Sequence, residues 1–342
     1  MHEFINDETP HHIRLTAPEI ANIWSQYQND SMAICMYKYM INIVEDVSIR
    51  PILECSLRLA EGQIMIIRDF LIQEKFPIPH GFTEDDVDLS APRLYSDEFF
   101  LSYTYIMSIN GLAGYAAALS TNMRRDIRDY FVKCQNDTME LFNKSLDLLL
   151  EKGIVSRPPF INPPDKYEFI EKPNFIEGVF GGKRPLNCIE ISNLYWYLGK
   201  IQLSKSLTMG FSQVATSQEA KLYLWRGVEI YNKHIEILES IMSQDHLPKP
   251  KSEEVEVTSS TIAPFSDRLM MYHKCLLGST TIGSYGSGIG TCQRIDLGIH
   301  FARLISEMAQ YMEDGLNIMI KNKWAEQAPL TDDRENLSTR KN

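Results

Sequence analysis

Glu19-Ile20-Ala21-Asn22-Ile23-Trp24 recurs 171 residues later as Glu190-Ile191-Ser192-Asn193-Leu194-Tyr195. Pro77 and Pro79 meet Pro248 and Pro250 at the same offset. From Ser96-Asp97 onward the offset becomes 170: Ser266-Asp267 answers that pair, and Tyr115, Arg124, Asp126, Phe131 and Leu146 answer to Tyr285, Arg294, Asp296, Phe301 and Leu316. One deletion in a loop therefore registers nearly the whole chain against itself. The reading is an internal duplication, and a repeat of this length sets the fold.

Each copy reads as four helices. Thr16 with Glu19, and Asn187 with Glu190, have the spacing of capping boxes, in which a side chain takes a first-turn N–H and a Glu three residues on reaches back. Apolar residues follow at helical intervals: Ile20, Ile23, Trp24 and Tyr27, then Ile191, Leu194, Tyr195 and Leu198. A second helix carries Leu53, Leu57, Ile64, Ile67 and Leu71 in one copy, and Leu224, Val228, Ile235, Leu238 and Met242 in the other. It ends at the proline pair. Third helices start at the caps Ser96 and Ser266. Fourth helices are expected over 121–152 and 291–323. Period-two alternation is almost absent, so strands should be rare.

Connection lengths choose the topology. Phe76–Tyr95 and His246–Phe265 separate helices two and three, far beyond the roughly 2–8 residues of a helical hairpin. Such a segment can run the length of a bundle, which favours a ferritin-like crossover over a plain up-down bundle. The expected architecture is all-α: two tandem ferritin-like four-helix bundles. The expected boundaries are 1–155 for the first bundle, 156–185 for a Pro- and aromatic-rich linker, 186–330 for the second bundle, and 331–342 for a polar, disordered tail. The linker rings Phe160, Tyr167, Phe169, Phe175 and Phe180 are expected to pack against a bundle as a strap.

The 342 residues carry a net charge of −11, with 23% charged and 44% hydrophobic residues. That excludes a disordered chain and argues against nucleic acid or anionic lipid as partner, both of which need basic surface. Six cysteines without a CxxC pair suggest neither a disulfide framework nor a zinc knuckle, and fit a reducing, cytoplasmic setting. Met1–His12 does not read as a signal peptide. Phe99–Met123 and Cys275–Gln293 contain no charged side chain. The second is too rich in Gly, Ser and Thr for a membrane span, so both helices should be covered on several sides, through contact between the halves or in a homodimer.

The search for chemistry mostly returns negatives. A di-metal bundle needs Glu-x-x-His on two helices, and neither copy has it on helix two or four. His234, His273 and His300 lie one on each of three helices of the second half, against Gln63, Tyr103 and Tyr130 in the first. Asp296 and His300 share a face. His234, His300 and Asp296 are therefore the candidate metal ligands, though hydrogen-bonded core or surface histidines are the simpler account. Arg124 with Asp126, and Arg294 with Asp296, read as ion pairs at the turn into helix four, or else as an anion or substrate clamp. Glu19 and Glu190 read as caps, and Asn22 and Asn193 as either core pins or surface groups. No G-x-S-x-G occurs, and Gly286-Ser287-Gly288-Ile289-Gly290 lacks a phosphate-loop context.

Phe211–Ala215, Leu247–Pro250, Pro264–Met270, Tyr285-Gly286, Arg294–Leu297, Glu313–Gly315, Asn317–Ile320 and Trp324 with Asp333-Arg334 form a recognisable set, framed by Arg157-Pro158-Pro159 and Arg184-Pro185-Leu186. Together they resemble a duplicated "domain of unknown function" family of spore-forming, Bacillus-type bacteria. Cys292 stands where that family would place Ser. The resemblance implies paired ferritin-like bundles and no activity, and sporulation or stress only by association. The expected function is a non-enzymatic structural or interaction protein without a cofactor, acting on an unknown protein partner or as a homodimer through the third helices. The alternatives are metal or small-ligand binding by the second bundle, and an enzyme cleft near Arg294 and Asp296.

Overall fold

The capping signals set the helices. In a computed structural model, which describes residues 13–178, 183–251 and 256–339, α1 (Ala17–Ile43) and α5 (Cys188–Val214) both start with complete capping boxes. They are followed by α2 (Arg50–Gln73) and α6 (Gln218–Gln244). Ser96 and Ser266 accept the amide N–H of Phe99 and Leu269, opening α3 (Asp97–Thr121) and α7 (Asp267–Thr291). α4 (Arg125–Glu151) and α8 (Ile295–Lys321) complete the halves. Among the described residues there is no strand, only two isolated β-bridges.

Contacts at the helix ends fix the directions. Asn22, near the start of α1, donates to Thr121 and Asn122 at the end of α3. The end of α1 donates from Glu45 N and Asp46 N to Asp97 at the start of α3, the latter at 2.7 Å. Helices α1 and α3 are therefore antiparallel, α2 and α3 run the same way, and residues 74–96 must travel the length of the bundle. The second half repeats every contact: Asn193 donates to Thr291, and Thr216 N and Ser217 N donate to Asp267. The long connections are crossovers.

Each crossover is completed by the other half. Thr258 N donates to Leu94 O at 2.9 Å, and Asp88 N donates to Pro264 O at 2.8 Å. Ser96 N bonds Glu256 O while Ser266 N bonds Asp86 O. The cap hydroxyls do the same, Ser96 Oγ to the Glu256 carboxylate and Ser266 Oγ to Asp86. The bridges Val87↔Phe265 and Tyr95↔Val257 are equivalents under the repeat. This mutual exchange has the isologous pattern of a two-fold dimer, built within one chain. Tyr103 and His273, equivalents of each other, meet at 3.3 Å.

A hydrophobic core runs through both halves, including Tyr39, Tyr95, Phe99, Phe211, Phe265 and Met270. The halves thus meet partly through their third helices, as the missing charges suggest. Only the N-terminal parts do so: Phe99–Thr104 is buried without a break, whereas Ala113, Gly114, Ala116 and Ala117 of α3 and Gly283, Gly286 and Gly290 of α7 are exposed. The later half of each uncharged helix therefore buries one face, with Ala118 and Tyr285, and leaves the other uncovered within the chain.

Three further expectations change. The fourth helices begin at Arg125 and Ile295, not 121 and 291, because Glu19 and Glu190 each accept two amide N–H groups from the preceding turn and hold it extended. Among the linker rings, Phe175 lies under the Arg184 guanidinium at 4.0 Å. Phe160, Tyr167 and Phe169 are each more than 80% exposed, since prolines hold the segment extended and helices already cover both cores. Phe180 and the Met1–His12 segment lie outside the described residues. In the tail, Arg334–Thr339 forms a short exposed helix, α9, opened by Asp333 accepting from Asn336 N. All six cysteines are free thiols.

Gly210 sits where the halves touch. A Cβ there would fall 2.4 Å from the Tyr95 hydroxyl, which donates to Leu207 O at 2.7 Å. Gly210→Ala is expected to cost about 1–3 kcal/mol through overpacking, measured by denaturant midpoint. Gly199→Ala on the same helix, where a Cβ meets nothing within 4 Å, is expected to be neutral or stabilising by up to about 1 kcal/mol.

Candidate functional site

Three places could hold chemistry: the turns entering the fourth helices, the interior of each bundle, and the junction between the halves.

The turns are clamps. Glu190 accepts from Asn187 N, Gln293 N and Arg294 N, and pairs with Arg184 at 2.8 Å. Arg294 meets Asp296 through two bonds, at 3.1 and 2.7 Å, and Lys183 adds a further ion pair to Asp296 at 3.3 Å. Burial opposes ionisation of Asp296, but Arg294 and Lys183 outweigh it and hold the carboxyl below its usual range. Arg124 and Asp126 repeat the pair in the first half. These groups satisfy one another and fix the entry into α4 and α8. Asn22 and Asn193, half-buried, tie α1 and α5 to the same turns.

Inside the second bundle, His234 is fully buried. Its Nδ1 lies 3.1 Å from the Tyr285 hydroxyl and its Nε2 lies 3.1 Å from Glu307. A carboxylate can only accept, so Nε2 carries the proton and Nδ1 accepts from Tyr285. Lys233 pairs with the same Glu307 at 2.7 Å. Burial pushes the His234 imidazole down to about 4 against the pull of Glu307. Both ring nitrogens are thus engaged. His300 is partly exposed one turn beyond Asp296, and burial followed by Arg303 lowers its pKa. The structure does not gather His234, His300 and Asp296 into one ligand set: among the described residues no three His, Cys, Asp or Glu groups converge as a metal ion would need. His273 is taken up at the junction with Tyr103.

The junction holds a cleft of about 540 Å³ that sequence reasoning missed. α3 and α4 give it Tyr105, Ile106 and Leu149, α5 gives Tyr195, Trp196 and Gly199, and the chain leaving α4 covers it with Ile154, Val155 and the Pro158-Pro159 pair. Tyr195 anchors that cover, its hydroxyl donating to Ser156 O at 2.8 Å. Among the described residues, the charged side chains lining it are Arg157 and Lys251, both cationic. Gln202 Oε1, also in its wall, has no hydrogen-bond partner among the described residues. The available sequence signal was the Arg157-Pro158-Pro159 run next to apolar Ile154-Val155. The strap reading rests on the linker's prolines and aromatic rings and not on this run, and the opposing wall comes from the other half of the chain.

The fold and these sites define a class: a fused pair of four-helix crossover bundles whose fourth-helix turns are held by internal clamps and whose junction carries a largely apolar cleft. The chain belongs to the family described as "Protein of unknown function (DUF3231)", whose model matches it twice, over residues 3–167 and 174–337. A crystal structure of a "putative spore coat protein" from Bacillus halodurans is similar to 44% of this chain over 98% of its own, with 16% identity and a TM-score of 0.40. No curated protein matches the chain. Among the described residues no helix is long and apolar enough to cross a membrane.

His234 gives the second bundle a pH signature. Its folded pKa, about 4, lies below the ordinary imidazole value of about 6.5, so the unfolded chain binds the proton more readily. Its contribution is intact above about pH 6.5 and is lost progressively as pH falls toward 4. Relative to His234→Gln, the residue found at position 63 of the first half, the wild type is expected to lose about 1–2 kcal/mol between pH 7 and pH 5. Parallel stability curves for the two proteins would show that His234 is not held neutral.

Proposed function

We propose that this protein is a non-enzymatic binding and structural protein that takes an amphiphile, with an apolar body and an anionic head, into the cleft between its two degenerate ferritin-like halves. The supporting observation is the cleft itself. Its volume and apolar lining with a few polar groups suit a small organic ligand, and boundaries between structural units are where such sites form. With Arg157 and Lys251 as its charged lining groups, an anion is matched and a cation opposed. Gln202, buried and unpartnered on its acceptor side, suits a hydroxyl or an acid proton within the cleft. A partner protein or a second copy fits the same reading, against the exposed uncharged faces of α3 and α7. The metal alternative at His234, His300 and Asp296 is the less favoured reading, because each group already has a different partner or neighbourhood.

Dodecanoate is the direct probe. Binding followed by tryptophan fluorescence, with Trp196 in the wall, is expected to be at least tenfold tighter for dodecanoate than for dodecyltrimethylammonium. Gly199→Leu places a side chain in open cleft space and removes a helix-interior glycine. It is expected to abolish binding while keeping or raising the melting temperature by the equivalent of up to about 1 kcal/mol. Undiminished binding by that variant, or no preference between the two amphiphiles, would refute the reading.

A further inference from the structure

The two bundles differ at one level. In the second, Tyr197 packs at 5.6 Å from Phe301 and 5.9 Å from Tyr285, the latter two being 5.7 Å apart. Tyr285 bonds His234, and Ile201 lies one turn beyond Tyr197. The rings fill the interior, and the core continues through it. The first bundle keeps Phe131 and Tyr115 in place of Phe301 and Tyr285, but has Gln26 in place of Tyr197 and Asp30 in place of Ile201. There a cavity of about 350 Å³ remains. The apolar residues beyond it, among them Ile23, Ile67, Ile127 and Phe131, form a cluster separate from the main core.

The polar groups facing this cavity are unbalanced. Asp30 is 7% exposed and Gln26 5%. Asp30 Oδ2 and Gln26 Oε1 have no hydrogen-bond partner among the described residues. Gln63 Oε1 accepts from Tyr115 at 3.3 Å. Burial drives the Asp30 carboxyl well above its ordinary range, eased by Gln26, with no cationic side chain contributing. A carboxyl so raised holds its proton while the cavity is empty; a donor-rich guest of positive charge would restore the carboxylate and give Asp30 Oδ2 and Gln26 Oε1 their missing partners. The walls supply what such a guest carries behind its charge: the rings of Tyr37, Tyr115 and Phe131, whose faces attract cations, and apolar Ala60, Leu141 and Leu276. Exposed Ser25 on α1 and Gly114 on α3 line the way in.

We propose that the interior of the first bundle binds a small organic ammonium ion, its N–H groups donating to Asp30 Oδ2 and Gln26 Oε1 and its apolar body lying against Tyr37, Tyr115 and Phe131. The site is separate from the junction cleft and does not rest on the function proposed for it. The second bundle, with a tyrosine and an isoleucine at the two decisive positions, has no counterpart.

Calorimetric titration of the full chain with phenethylammonium chloride, 2-phenylethanol, MnCl₂ and ZnCl₂ tests it. The ammonium is expected to bind at least tenfold tighter than the isosteric alcohol. Asp30→Asn, which keeps shape and cannot ionise, is expected to bring the two to equal affinity while the melting temperature holds or rises. Gln26→Tyr, the second bundle's own residue, is expected to abolish both. Gly199→Leu, which blocks the junction cleft, is expected to leave ammonium binding unchanged. Equal affinity for ammonium and alcohol in the wild type, a preference that survives Asp30→Asn, no binding of either organic probe, or Asp30-dependent binding of manganese or zinc without ammonium discrimination would each overturn the proposal.

Discussion

The mutual completion of the two crossovers is the constraint on which this molecule depends. A segment that travels the length of a bundle exposes backbone N–H and C=O groups that no helix satisfies, and buried groups of that kind must find partners. Each crossover finds them on the other: Asp88 with Pro264, Thr258 with Leu94, and the caps Ser96 and Ser266 with Glu256 and Asp86. The same residues therefore start the third helices and join the halves. Helix capping, crossover path and domain junction form one structural unit, and Tyr39, Tyr95, Phe211 and Phe265 pack around it in edge-on pairs.

The acids at the helix starts obey the same rule of satisfaction. Glu19, Glu190, Asp97 and Asp267 stand at helix starts, where an acid suits the dipole. Each also reaches across to amides of a neighbouring turn, so a local preference becomes a tertiary tie. In the second bundle His234, Tyr285 and Glu307 close a network with every proton placed. In the first, the equivalent level is left open at Asp30 and Gln26. The contrast within one chain makes the first cavity informative, since the second bundle shows how the same scaffold looks when that space is filled.

Much of this was legible in the sequence. The 171- and 170-residue offsets, the Thr16 and Asn187 boxes and the proline stops define the helices, and the length of 76–95 selects the crossover. The two interiors were readable in part: aligning His234 with Gln63 shows the polar level, and placing Gln26 and Asp30 against Tyr197 and Ile201 would have exposed the asymmetry. Nothing in Asn29-Asp30-Ser31 signals burial, however, because helical periodicity cannot say which polar stripe turns inward when the helix is covered nearly all round. The junction cleft was not legible. Its walls come from α3, α4, α5 and the covering segment, and no local pattern in any of them encodes the space they leave.

The pairing of the halves has the symmetry of a dimer but the covalent continuity of a monomer. In an assembly of two identical subunits, every substitution appears on both sides of the axis, so a change that opens an interior in one must open it in the other. A tandem gene removes that bond between the copies: glutamine at position 26 and tyrosine at position 197 coexist, so one interior stays open while its twin is filled.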